Sequence, residues 1–210
     1  MRLSLRSPTA LWMAAAFSVT LAAAASVLTI GGAGQSGLSA ALRSTARVAY
    51  LFFWPAYIGG ALATLYGNAF RSLASRARQF GLAFAASLLV HVGLVIWLIA
   101  ISPNQSLLAT TMPFFMIGVI WTYLLAASSI DRVRAFCSPY ALKVLRTVGV
   151  EYITLTFFVD FVVLPKNPLQ YPILYVPFWI MLGLGLALRL GAAMKRVHRT
   201  SMGPGAASAP

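Results

Sequence analysis

His91 stands inside an uncharged run, Gln79 to Ile101, and is the residue of this sequence best suited to holding a ligand. An imidazole can bind a metal, relay a proton or accept a hydrogen bond, and in hydrocarbon an ionisable ring needs some such partner because leaving it bare is costly. At about 1.5 Å per residue, His91 falls roughly 18 Å along a helix from Gln79, near the midplane of a hydrocarbon core about 30 Å thick. A neutral His91 that donates to a backbone carbonyl, or to Ser87 one turn earlier, meets the same need without any ligand. Both readings stay open at this point.

The acids give less. With three in the whole chain, a carboxylate pair has to come from Asp131, Glu151 and Asp160. Glu151 and Asp160 are nine positions apart, which at about 100° per residue sets them on opposite faces of one helix, so they form no dyad. Arg146 and Asp160 share a face but lie about 21 Å apart along the axis, too far for a salt bridge. Asp160 falls near the outer end of its helix and Glu151 about two turns from the inner end; each has a bland reading, hydrogen-bonded within a bundle, beside a proton or ligand role. No Ser/His/Asp set, phosphate loop or metal cluster is visible, so no catalytic motif is found. Cys137 is the single cysteine, which excludes an intramolecular disulfide and a CxxC metal site; it falls in a loop, and His198 in the cytoplasmic tail.

The elements that must position these residues are membrane helices. The chain has 210 residues, 60% hydrophobic and 9% charged, with mean hydropathy +0.84. That is far too little charge for the surface of a soluble domain. The expected fold is an all-α integral membrane protein, a single domain over 1–199 with spans at about 9–30, 47–66, 79–101, 108–128, 144–164 and 171–194, followed by a disordered tail, 200–210. The first apolar stretch is longer than a signal-peptide core and is read as a retained helix. Gly31 to Ala46 reads as a Gly/Ser-rich connection, and the uncharged turn Ser102 to Ser106 makes the third and fourth helices antiparallel neighbours. Small residues at Ala83, Ala85, Ala86 and Ser87 allow close helix approach and are expected to bury Gly81, Ser87 and His91 against the fifth helix.

Formal net charge is +13, yet the basic residues are scattered between apolar runs without a basic stripe, so nucleic acid is not expected as a partner. They read as topology signals. Counted on alternate sides, thirteen fall on one and only Arg43, Arg47 and Lys166 on the other, which gives a six-helix bundle with both termini cytoplasmic. The lipid bilayer is the expected partner.

Arg76 and Arg78, then Gly81-Leu82 and His91 ten positions after the glycine, together with Leu125-Ala126-Ala127-Ser128-Ser129 closing the fourth helix, resemble the ferric reductase-like transmembrane family. Within it, the likeness is to the haem-binding membrane subunits of bacterial periplasmic methionine sulfoxide reductase systems. The resemblance covers roughly helices two to five. It implies residence in the bacterial inner membrane, b-type haem and electron transfer from a quinol or flavin partner to a periplasmic or membrane redox partner, with His91 as the iron ligand. Where the family carries histidines on the fifth helix, this chain has Arg146 after Leu145, and then Val159 or, with one residue of slip, Asp160. Only His91 carries over, so two-histidine ligation is not expected. A haem here would be five-coordinate or take a weaker sixth ligand, for which Met116 and Tyr152 are candidates by depth. The alternative is a haem-free, degenerate member acting as a structural or assembly subunit or as a small-molecule carrier.

Overall fold

The computed structural model describes residues 8–102, 106–164 and 172–201. The first helix, α1 (Pro8–Gly31), is followed after a short turn by α2 (Gln35–Tyr66), a 3-10 turn (Gly67–Phe70), α3 (Arg71–Ser75) and α4 (Ala77–Ile101). Then come α5 (Ser106–Ala127), α6 (Asp131–Ala135), α7 (Pro139–Phe158) with a π-helical turn (Val159–Val163), and α8 (Pro172–Ser201). No strand occurs among the described residues.

By length and composition four helical stretches can cross a membrane: Pro8–Gly31, Gln35–Ser75, Ala77–Ile101 and Ile173–His198. Thr111–Ala127 is a shorter apolar helix. Large apolar side chains such as Val19, Leu51, Leu89, Ile96, Ile120 and Ile180 are exposed along the helix exteriors, the arrangement of a surface solvated by lipid.

Several helix limits differ from those expected. The connection 31–46 is helical from Gln35, so α2 runs three turns further back than its expected start at Arg47. The reversal is compressed into the preceding turn, where Gly32 takes φ +75 and a side chain on Gly37 would collide with the Gly32 carbonyl at 1.9 Å. α7 begins at Pro139, five residues ahead of the expected 144, because Ser138 caps it: its Oγ accepts from the Ala141 amide at 3.1 Å, and proline is pre-set for the first helical position. α8 continues past 194 to Ser201, so Thr200 and Ser201 of the expected disordered tail are helical. The rest of that tail, 202–210, and the turns around Asn104 and at 165–171 lie outside the described residues.

Two packed zones hold the helices. One is aromatic and joins α2, α4, α7 and α8: Tyr50 meets Phe157 edge-on at 4.9 Å between ring centroids, Phe53 meets Phe84 at 5.3 Å, and Phe161 meets Phe178 at 4.9 Å. The other is aliphatic and joins α1, α2 and α4 through Ala24, Leu38, Ala41, Val90, Leu94 and Leu98. The small face of α4 is buried, but toward α1: Ser87 donates to Thr20 Oγ1 at 2.6 Å, since the Thr20 proton goes to the Ala16 carbonyl at 2.7 Å. The expected burial of Ser87 against the fifth helix therefore gives way to a polar clasp on the first.

α1 and α4 start at the same end of the bundle, where α2 and α8 finish. Trp12 near the start of α1 packs on Phe80 near the start of α4, at 5.2 Å, and Lys195 near the end of α8 donates to the Leu65 carbonyl near the end of α2, at 2.8 Å. Both described ends of the chain therefore lie at the arginine-rich end of the bundle.

Candidate functional site

α4 carries His91 to the boundary between the aliphatic zone and a gap. At the arginine-rich end Tyr123 of α5 donates to the Ala85 carbonyl of α4 at 3.3 Å, but beyond that point α5 packs on α7 and touches α4 little. Gly118 and Gly149 explain the preference: a side chain on Gly118 would lie 2.9 Å from Thr156 Oγ1 of α7, and one on Gly149 would lie 3.0 Å from the Trp121 ring of α5. Close approach to α7 draws α5 off α4 and leaves a cavity of about 410 Å3 between α2, α4, α5 and α7.

The cavity is walled mainly by apolar side chains, among them Phe84, Leu88, Val95, Phe115 and Phe157. His91, Met112, Met116, Arg43 and Asp160 are the groups on its wall that could coordinate or carry charge. The volume lies in the range of small-molecule and cofactor sites, about 300 to 1,000 Å3, as does the pattern of apolar walls with few polar groups.

His91 is positioned by α2. Its Nδ1 lies 2.9 Å from Thr45 Oγ1, and the Leu42 carbonyl is its other polar neighbour. Thr45 directs its one proton to the carbonyls of Ala41 and Leu42, at 3.0 and 3.1 Å. Its oxygen is thus an acceptor, and this network assigns the proton of an uncharged imidazole to Nδ1, leaving Nε2 as the basic nitrogen. Ser87, the alternative to a backbone carbonyl as its partner, is engaged by Thr20. A histidine steered through one ring nitrogen while the other keeps its lone pair is the usual arrangement of a ligating imidazole.

The other expected residues separate. Met116 shares the cavity with His91, whereas Tyr152 does not line it and donates its hydroxyl to the Phe114 carbonyl at 3.0 Å. Tyr152 is thus turned to α5 and does not share the cavity with His91. Asp160 reaches the cavity from the π-helical turn, whose wider winding is closed by the Leu164 amide on the Val159 carbonyl at 3.0 Å, and the charges that face it are Arg47 and Arg43. Arg47 lies with its guanidinium 5.0 Å from the Tyr175 ring centroid. Glu151 is elsewhere: it pairs with Arg189 of α8 at 2.6 Å and accepts from the Tyr57 hydroxyl at 3.3 Å, tying α7 to α8 and α2. Arg146 lines a different cavity from His91. No group of three or more His, Cys, Asp or Glu with metal-site geometry occurs among the described residues.

No family model matches the chain, and neither does any curated protein or solved structure. The likeness to ferric reductase-like proteins rests on the residues quoted for it. Thr45 and Arg43 were hidden from sequence reasoning because a second helix begun at Arg47 leaves both in a connection. Once α2 is extended back by three turns, Thr45 faces α4 at the level of His91.

Proposed function

We propose that this chain is a six-span protein of the bacterial inner membrane, with cytoplasmic termini, that holds a cofactor-sized, mainly apolar ligand at bilayer depth on His91. Haem is the ligand this reading names. The observation that carries it is the place of His91, on the wall of an apolar cavity of about 410 Å3 with Nδ1 held by Thr45. The donor set fits haem held by one histidine, with the thioethers of Met112 and Met116 as the other soft donors on the wall, and does not fit the family's two-histidine arrangement. Arg43, exposed and on the same wall, offers a cation to acidic groups at the ligand's edge. Bound there, haem would supply one-electron chemistry. The protein's own part is to orient the imidazole, exclude water with aromatic walls and span the bilayer between a quinol or flavin donor and a periplasmic or membrane acceptor.

A second reading, a haem-free structural subunit or small-molecule carrier, is favoured by one feature. Arg146 replaces the family's histidine and does not share the cavity with His91, so α7 offers no imidazole to complete a haem site.

Absorption spectroscopy of protein purified after expression with haem supply tests the two. The haem reading expects a Soret band of five-coordinate or weakly ligated iron that responds to carbon monoxide and is lost in His91→Ala. A protein without the band supports the haem-free reading. A band that survives His91→Ala places the iron elsewhere and overturns the site.

A further inference from the structure

A second cavity, also about 410 Å3, opens at the arginine-rich end of the bundle and takes its wall from α2, α4, α5, α6 and α7. Three arginines reach it from three helices: Arg78 on α4, Arg134 on α6 and Arg146 on α7. None of the chain's three acids lines it, and Glu151, the nearest in sequence to Arg146, is turned to Arg189 and Tyr57. Among the described residues none of the three arginines is within salt-bridge distance of a carboxylate. Arg78 is fixed in place, donating to the Ser129 carbonyl. The deeper wall is apolar, with buried Phe53, Phe84 and Ile153 beside Leu125.

Arginine inside or beside a membrane span is costly unless it meets an anion or water, and its planar fork matches phosphate better than a lysine's point charge does. Three guanidiniums around an aromatic and aliphatic floor offer complementary surfaces to the two halves of an anionic amphiphile. Basic pockets between helices at the cytoplasmic membrane face have that chemistry.

We propose that this cavity binds the phosphate of an anionic amphiphile, with Arg78, Arg134 and Arg146 as the anion receptors and Phe84, Leu125 and Ile153 against the apolar part. An acidic phospholipid of the adjacent leaflet presents both halves at this depth. His91 does not line this site, although Phe84, Thr122 and Ile153 border both cavities, and the proposal rests only on the membrane reading of the bundle.

The test uses the full chain in mild detergent, titrated at low salt with short-chain phosphatidylglycerol, short-chain phosphatidylcholine or inorganic phosphate, with thermal stabilisation and native mass spectrometry as readouts. Phosphatidylglycerol should bind in preference to phosphatidylcholine, and each of Arg134→Gln and Arg146→Gln should weaken it about fivefold or more. Arg132→Gln, on the same short helix but outside the cavity, should leave binding unchanged. Stabilisation by inorganic phosphate that is lost in the same variants also supports the anion site and names a soluble phosphate as its source. Equal binding of the two lipids without a phosphate response, or equal losses in Arg132→Gln and Arg134→Gln, overturns the proposal, since general surface charge then accounts for the effect. Arg134 is exposed on α6, so its variant remains informative if Arg146→Gln does not fold.

Discussion

Because the Thr45 hydroxyl gives its proton to backbone carbonyls of its own helix, it meets His91 only as an acceptor, and the imidazole is steered rather than merely satisfied. A steering role and a packing role separate on substitution. Thr45→Ser keeps the oxygen and should retain whatever His91 holds. Thr45→Val removes the acceptor at nearly constant volume; it should cost about 1 kcal/mol of stability, as interhelical hydrogen bonds in membranes do, and weaken ligand retention about 10- to 100-fold. Equilibrium unfolding in detergent beside ligand titration measures both, and equal ligand retention in the two variants would remove the steering role. The Glu151 and Arg189 side chains are 44% and 30% exposed, so their bridge reads as a tie between α7 and α8 with small energetic weight.

At the scale of elements, the cavity beside His91 exists because α5 prefers α7 to α4, and glycine enforces that preference. A methyl on Gly118 meets a Thr156 side chain that is β-branched and bonded to the Tyr152 carbonyl at 2.9 Å, so it cannot easily give way. Gly93 on α4 has nothing within 4 Å of an added Cβ. Gly118→Ala should therefore destabilise by about 1 to 3 kcal/mol through overpacking. Gly93→Ala should be neutral or stabilising by up to about 1 kcal/mol, since alanine is the better helix former. Thermal denaturation of the two variants side by side checks this, and equal midpoints would mean that α5 does not seat closely on α7.

For the whole molecule, orientation in the membrane is the quantity that gives the two cavities their meaning. Cys137, free and the sole cysteine, lies between α6 and α7 at the arginine-rich end and serves as a native reporter. In intact cells a membrane-impermeant maleimide should leave it unlabelled and should label it after lysis. In a Cys137→Ser background, Ser36→Cys in the first turn of α2 should label from outside. The reverse pattern would invert the bundle and place the arginine cavity against the outer leaflet. The expectation follows from the thirteen-to-three distribution of basic residues, since lysines and arginines are held back on the cytoplasmic side during insertion.

Composition and apolar run length alone determined that this is a helical chain with helices fit to cross a membrane, because satisfying the backbone in hydrocarbon leaves so few alternatives. The sequence also singled out His91, since an imidazole amid uncharged residues stands out without any coordinates. Tertiary structure alone decided that Thr45 faces His91, that Ser87 turns to Thr20, and that Arg146 and His91 line separate cavities. Those facts depend on which helix faces lie together. In a membrane bundle nearly every face is apolar, so hydrophobic periodicity, which reveals the buried side of a soluble helix, carries little information, and small residues and single hydroxyls set the packing.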